Sequence, residues 1–192
     1  MKLLEERIIK DGEVLPGDVL RVDSFLNHQI DVDLVSKLAA EWYEHFKDAG
    51  VTKILTIESS GIGIACIVAQ YFKVPVVYAK KTRSSTIGSD FYSTRVVSYT
   101  HGQSYEVLVS KKYISKTDKI LLIDDFLAHG SALKVLINLA EMAGAKVIGA
   151  GVAIEKAYQS GGRDIRDMGY EVKALAKIQS MSLTEGIVFE NN

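Results

Sequence analysis

One cysteine, two prolines and one tryptophan in 192 residues rule out several structural classes at the start. A single cysteine cannot close an internal disulfide, so a core must carry the fold, as suits a reducing cytoplasm. That cysteine, Cys66, stands in GIGIACIVAQYF among apolar neighbours and is expected to be a small core hydrophobe. The four histidines, His28, His45, His101 and His129, share no metal-ligand spacing with one another or with Cys66, so no structural zinc is expected. Repeats, low-complexity tracts and Pro/Gly-rich linkers are missing. No apolar run approaches the roughly 20 residues of a membrane span. The opening MKLLEERIIKDG scatters charge through its apolar positions, unlike a signal peptide. Charge of one sign is lacking too: 23 Lys+Arg oppose 24 Asp+Glu, so composition offers no case for nucleic-acid binding.

What remains is a chain 47% hydrophobic and 24% charged, ordinary for a globular protein and long enough for one domain with a sizeable core. Helix and strand signals alternate along it. Leu34, Leu38, Trp42 and Phe46 recur at helical spacing after Asp31, with Gly50 as the stop. Ile64, Ile67, Val68, Tyr71 and Phe72 mark a second helix, and Leu133, Leu136, Ile137 and Ala140 a third, closed by Gly144. Between them residues 53–57, 75–79, 120–123, 147–154 and 171–178 read as strands. Four of these are nearly continuous apolar runs, which predicts a largely parallel sheet covered by helices on both faces. Residues 80–95, KKTRSSTIGSDFYSTR, are polar and hydroxyl-rich and predict a long loop, returning through a hairpin of residues 96–99 and 105–109.

The chemistry concentrates in KILLIDDFLAHGSALKVLI, residues 119–137. An apolar strand runs into Asp124 and Asp125, where the carboxyl end of a doubly wound sheet places its ligands. Ionised carboxylates only accept hydrogen bonds, so the pair suits hydroxyl donors or a hard cation. The small residues that follow let backbone amides and a helix start cradle an anion. Carboxylates for hydroxyls beside amides for a phosphate describe a receptor for a sugar phosphate. A P-loop is excluded because no Gly-Lys dipeptide occurs. A phosphoacceptor receiver is disfavoured because the other core strands lead to Glu58 and Glu155 rather than Asp. Gly149 and Gly151 lack the third glycine of a dinucleotide fingerprint.

LLIDDFLAHGSA resembles the signature of the type I phosphoribosyltransferases, apolar residues followed by D-D-x-x-A-T-G-G-T. LRVDSFLNHQID, TIESSGI and IEKAYQSGGR resemble the bacterial xanthine-specific branch of that family. The resemblance implies an α/β type I phosphoribosyltransferase fold in a single domain over residues 1–192. Its hood would be built from about residues 1–32 and 178–192, and its long loop would be flexible. It implies transfer of the phosphoribosyl group of phosphoribosyl pyrophosphate (PRPP) to xanthine, giving XMP and pyrophosphate in purine salvage.

Residue by residue, the resemblance gives Asp124 and Asp125 the ribose hydroxyls, and Ala128, His129, Gly130, Ser131 and Ala132 the 5-phosphate. His129 and Ala132 stand where threonines are usual, and a protonated His129 is expected to compensate. Glu58, Ser59, Ser60 and Gly61 match the pyrophosphate loop, and Lys80, Lys81 and Arg83 the flexible catalytic loop. Leu20, Asn27 and Lys156 are implied for xanthine, with Phe25, Tyr158 or Phe189 as stacking candidates. The lysine favours oxopurines over adenine. Magnesium is expected through PRPP, with no protein metal ligands. A cytoplasmic homodimer without nucleic-acid or membrane partners completes the expectation. A hypoxanthine/guanine phosphoribosyltransferase and a non-catalytic PRPP-sensing regulator are the alternatives.

Overall fold

The computed structural model describes residues 1–81, 90–97 and 104–190. The chain opens with helix α1, Lys2–Asp11, which buries only Leu4 and Ile8, one turn apart. Strands β1 (Glu13–Leu15) and β2 (Val19–Arg21) then pair antiparallel around Pro16, Gly17 and Asp18. A short π-helical turn, Asp23–Asn27, buries Phe25 and Leu26. Helix α2, Val32–Phe46, starts where its sequence signals say: the Asp31 side chain accepts the Leu34 N–H at 3.1 Å. That amide first, and then a hydrogen bond from Arg7 at 2.8 Å, hold the Asp31 carboxyl below its usual range. Leu34, Leu38, Trp42 and Phe46 form the buried stripe.

Next come β3 (Lys53–Ile57), α3 (Ser60–Phe72) and β4 (Val76–Ala79). Strands β5 (Phe91–Val97) and β6 (Ser104–Ser110) form an antiparallel pair. The chain continues through β7 (Lys119–Leu127), α4 (Ser131–Met142), β8 (Lys146–Lys156) and α5 (Gly161–Asp167). It closes with β9 (Val172–Ser182) and β10 (Gly186–Phe189). The main sheet has the order β10-β9-β8-β7-β3-β4, parallel except for the antiparallel β10.

Alternation along β7 shows why its apolar run is continuous. Leu121 and Ile123 feed the core under α2 and α3, whereas Ile120 and Leu122 feed the core under α4. Each fully buried side chain of this size stabilises by about 1.5–3 kcal/mol, so neither face of the strand tolerates a polar residue until the sheet's end.

Three expectations need correction. The polar stretch is not loop throughout: β5 begins at Phe91, where pairing of Phe91 with Ser110 extends the hairpin beyond the predicted residues 96–99. Its predicted turn, residues 100–102, lies outside the described residues. Cys66 is exposed rather than buried, because it sits roughly 200° around the helix from the buried Ile64. The strand carrying the acid pair does not stop at it, since β8 continues the ladder as far as Leu127 opposite Glu155.

Candidate active site

Strand β3 pairs with β7 only as far as Leu55 opposite Leu122. Beyond that point β7 keeps β8 on one side and opens a cleft on the other, and Asp124 and Asp125 occupy this step. Both are buried, at 4% and 8% exposure. The Asp125 N–H donates to Asp124 Oδ1 at 3.0 Å, and the Asn27 side-chain amide donates to Asp125 Oδ2 at 2.9 Å. Burial above all, then the neighbouring Asp125 carboxylate, pushes the Asp124 acid well above its ordinary range, while the charge of Lys81 pulls the other way. The folded protein thus holds an acid pair short of compensating donors. Hydroxyl groups or a cation arriving with a ligand supply what is missing.

The next segment of the cleft follows β3. The Glu58–Ser59 peptide is cis. Ser59 precedes α3 without its side chain capping the helix, so the hydroxyl is not consumed as an N-cap. Gly61 is dictated by crowding: a Cβ there would lie 2.1 Å from Thr56 Oγ1 and 3.4 Å from Asp124 Oδ1. Thr56 is fully buried and its hydroxyl has no partner among the described residues. The Lys81 N–H donates to the Glu58 carboxylate, tying the start of the polar loop to this turn. Lys80 stands over the Tyr78 ring at 5.8 Å. Arg83 lies outside the described residues.

The third segment is residues 128–132. Gly130, at φ +77°, precedes α4 and provides no side-chain cap, so the helix start presents bare amides. Gly161, opening α5, is pressed against this loop, and its N–H donates to the Ala128 carbonyl at 3.1 Å. His129 is exposed and shares a cleft of about 410 Å³ with Ser131, Lys134, Ser160 and Asp164. Lys134 and Asp164 pair at 2.8 Å. From the last turn of α5, Arg166 grips the buried Glu155 through two bonds of 2.7 Å, and Glu155 immediately precedes Lys156.

The fourth segment holds the residues expected at the base. Leu20 and Lys156 are buried at 6% and 9% exposure, and Asn27 is tied to the acid pair through Asp125. The Lys156 ammonium donates to the Asp18 carbonyl and stands 3.9 Å from its carboxylate. Burial lowers its pKa and Asp18 opposes the shift. Phe25 is not available for stacking, being fully buried with Arg7 over its ring at 5.0 Å. Asp18, Thr56, Gly161 and the Glu155–Arg166 pair escape a reading of the sequence. Asp18 and Gly161 matter through contacts far along the chain, and Thr56 and the Glu155–Arg166 pair through nearer ones that only the folded strand ends close.

A parallel sheet with an acid pair at its carboxyl edge, flanked by two small-residue turns that each open a helix, defines a phosphoribosyl-binding α/β protein. The phosphoribosyl transferase domain model matches residues 21–179, and the chain belongs to that family. A protein of Lachnoclostridium phytofermentans is 53% identical over 98% of this chain and 97% of its own length. One of Bifidobacterium adolescentis is 53% identical over 98% of both. Both carry the name xanthine phosphoribosyltransferase. Among solved structures, the adenine phosphoribosyltransferase of Rhodothermus marinus superposes with a TM-score of 0.74 at 19% identity, covering 92% of this chain and 99% of that one. That of Trypanosoma brucei gives 0.76 at 17% identity, over 91% and 79%. These two likenesses establish the fold.

Proposed function

We propose that the protein transfers the 5-phosphoribosyl group of PRPP to xanthine, releasing pyrophosphate and forming XMP. The observation that carries the reading is the buried pair Asp124–Asp125, held side by side with too few donors, between two turns that open helices without side-chain caps. On this reading Asp124 and Asp125 accept hydrogen bonds from the ribose hydroxyls, which offsets the burial and then the repulsion from Asp125 that raise the Asp124 pKa. The amides of residues 128–132 and the start of α4 hold the 5-phosphate, with the partial positive charge of the helix end adding to the attraction. Ser59, Ser60 and the start of α3 take the pyrophosphate, and Lys80, Lys81 and Arg83 balance its charge as it leaves. A purine ring nitrogen attacks C1 as the bond to pyrophosphate breaks. The transition state resembles an oxocarbenium ion, so positioning and leaving-group neutralisation lower the barrier and no covalent nucleophile is required. A magnesium ion arriving with PRPP suits a site whose nearby groups are the hard carboxylates of Asp124 and Asp125, and it would supply neutralisation of the pyrophosphate.

At the base, Lys156 offers N–H donors to exocyclic oxygens, and an amino group in their place meets donors with donors. This supports xanthine over adenine, in agreement with the names of the relatives that match over their full length. Assays of pyrophosphate release with xanthine, guanine, hypoxanthine and adenine, each with PRPP and magnesium, test the reading. Xanthine is expected to give the highest kcat/KM. A higher value for guanine or hypoxanthine would convert the enzyme into an oxopurine phosphoribosyltransferase of different preference. Tight PRPP binding without turnover of any base would make it a sensor. The subunit state in which it works is proposed to be a homodimer in the cytoplasm, checked by light scattering and cell fractionation. Among the described residues no helix is long and apolar enough to cross a membrane.

A further inference from the structure

We propose that Asp18 is a positioning residue for the base-binding lysine, fastening the β1–β2 turn across the pocket and aiming the Lys156 ammonium. The inference rests on the reading that Lys156 meets the base. Asp18 contacts three residues that lie 138 to 141 positions further along the chain. Its carbonyl accepts from Lys156 Nζ. Its carboxylate accepts from the Tyr158 hydroxyl at 2.6 Å and from Gln159 Nε2 at 2.5 Å. These contacts gather the residues that follow the end of β8 around one side chain, while Leu20, two residues on from Asp18, is buried.

The backbone at Asp18 explains how the carbonyl reaches the lysine. Asp18 has φ +62°, a left-handed conformation that Asp and Asn adopt far more readily than other residues with a side chain. The turn therefore separates two functions of one residue. Its left-handed backbone presents the carbonyl to the ammonium, and its carboxylate locks the turn to Tyr158 and Gln159. An ammonium has three N–H donors. The Asp18 carbonyl engages one, which fixes the direction in which the remaining two face the base. Lys156 is buried, so an ammonium released from this contact would sample other rotamers and lose its alignment with an exocyclic oxygen. The carboxylate at 3.9 Å also keeps a buried cation company.

Substitutions at position 18 divide these contributions. Asp18→Asn keeps the left-handed turn and one acceptor, Asp18→Gly keeps the turn alone, and Asp18→Ala keeps neither at ease. Steady-state assays should show the KM for xanthine rising in the order Asn, Gly, Ala, reaching about tenfold or more in the alanine variant. An aligned hydrogen bond from a charged donor is worth roughly a factor of 10 to 150 in affinity. The KM for PRPP and kcat should stay within about twofold, because uniform binding of the base alone is lost. Thermal melts accompany each variant, and near wild-type behaviour of Asp18→Asn keeps the test valid should the alanine protein fold poorly. A wild-type xanthine KM in Asp18→Gly and Asp18→Ala, with Lys156→Met raising it, would overturn the role of Asp18 and leave the base assignment standing. An unaltered xanthine KM in Lys156→Met would overturn the base assignment itself. Loss of PRPP affinity in step with xanthine affinity across the series would make Asp18 a general structural contact and also overturn the inference.

Discussion

Replacing Gly161 by alanine should damage PRPP binding without touching any residue that contacts PRPP. A Cβ at position 161 would lie 2.3 Å from the Ala128 carbonyl oxygen, 2.4 Å from the Gly130 nitrogen and 2.6 Å from the His129 carbonyl carbon. All three are backbone atoms, so no side-chain rotation relieves the clash. Relief requires the loop and α5 to part by about 1 Å, to restore ordinary contact near 3.4 Å. Overpacking of this kind costs about 1–3 kcal/mol of stability. The displaced segment is the one whose amides are proposed to hold the 5-phosphate. Amide bonds to a charged group are worth about 1.5–3 kcal/mol each, so losing the alignment of one of them weakens PRPP by roughly 10- to 150-fold. Calorimetric titration of magnesium-PRPP into Gly161→Ala measures the loss, with a thermal melt to confirm folding and xanthine KM at saturating PRPP as the internal control. Wild-type PRPP affinity in a folded Gly161→Ala protein would refute the assignment of residues 128–132 to the phosphate.

Other consequences follow from the same geometry. The fold raises the Asp124 pKa above 3.8, so the folded state holds that proton more tightly than the unfolded chain does. The associated stability is complete below the unfolded value and is lost as pH climbs through the raised one. Asp124→Asn has no such proton to lose. Its melting temperature should therefore exceed that of the wild type by a margin that grows as pH rises above the ordinary carboxylate range, while kcat falls. A constant margin would refute the account of the pair. Arg166→Met leaves the buried Glu155 carboxylate without its two bonds. Denaturant unfolding should show a loss of about 2–4 kcal/mol, toward the low end because the arginine is about one-third exposed. His129 is exposed, so His129→Ala should raise the PRPP KM by only about threefold, in keeping with an exposed charge contact worth under about 1 kcal/mol. No change would remove the histidine from phosphate binding.

Much of the fold was legible because the sheet is buried on both faces. Residues 120–123 and 53–57 announce strands through nearly continuous apolar runs, and Asp124–Asp125 interrupts one of them so sharply that the site shows itself in the sequence. Helix α2 was legible from Asp31 to Phe46 because its cap and its stripe agree. The shorter elements were not. Strands β1 and β2 have three residues each, too few for alternation to register, and α1 rests on two buried side chains in a charged segment. Cys66 was misplaced because every position around it is apolar or small, which hides the face on which helix periodicity depends. Asp18 and Gly161 carry no local signal at all. Their importance comes from contacts across 138 and 33 residues of chain, closed only when β8 and α5 reach the cleft.

The claim on which the mechanism stands is that the buried acid pair grips the ribose of PRPP. Calorimetric titration of magnesium-PRPP into an Asp124→Asn/Asp125→Asn double variant tests it most directly. Exchanging two charge-assisted hydroxyl contacts for neutral ones, at about 1–1.5 kcal/mol each, should weaken binding by about 2–3 kcal/mol, or roughly 30- to 150-fold. A dissociation constant equal to that of the wild type would contradict it.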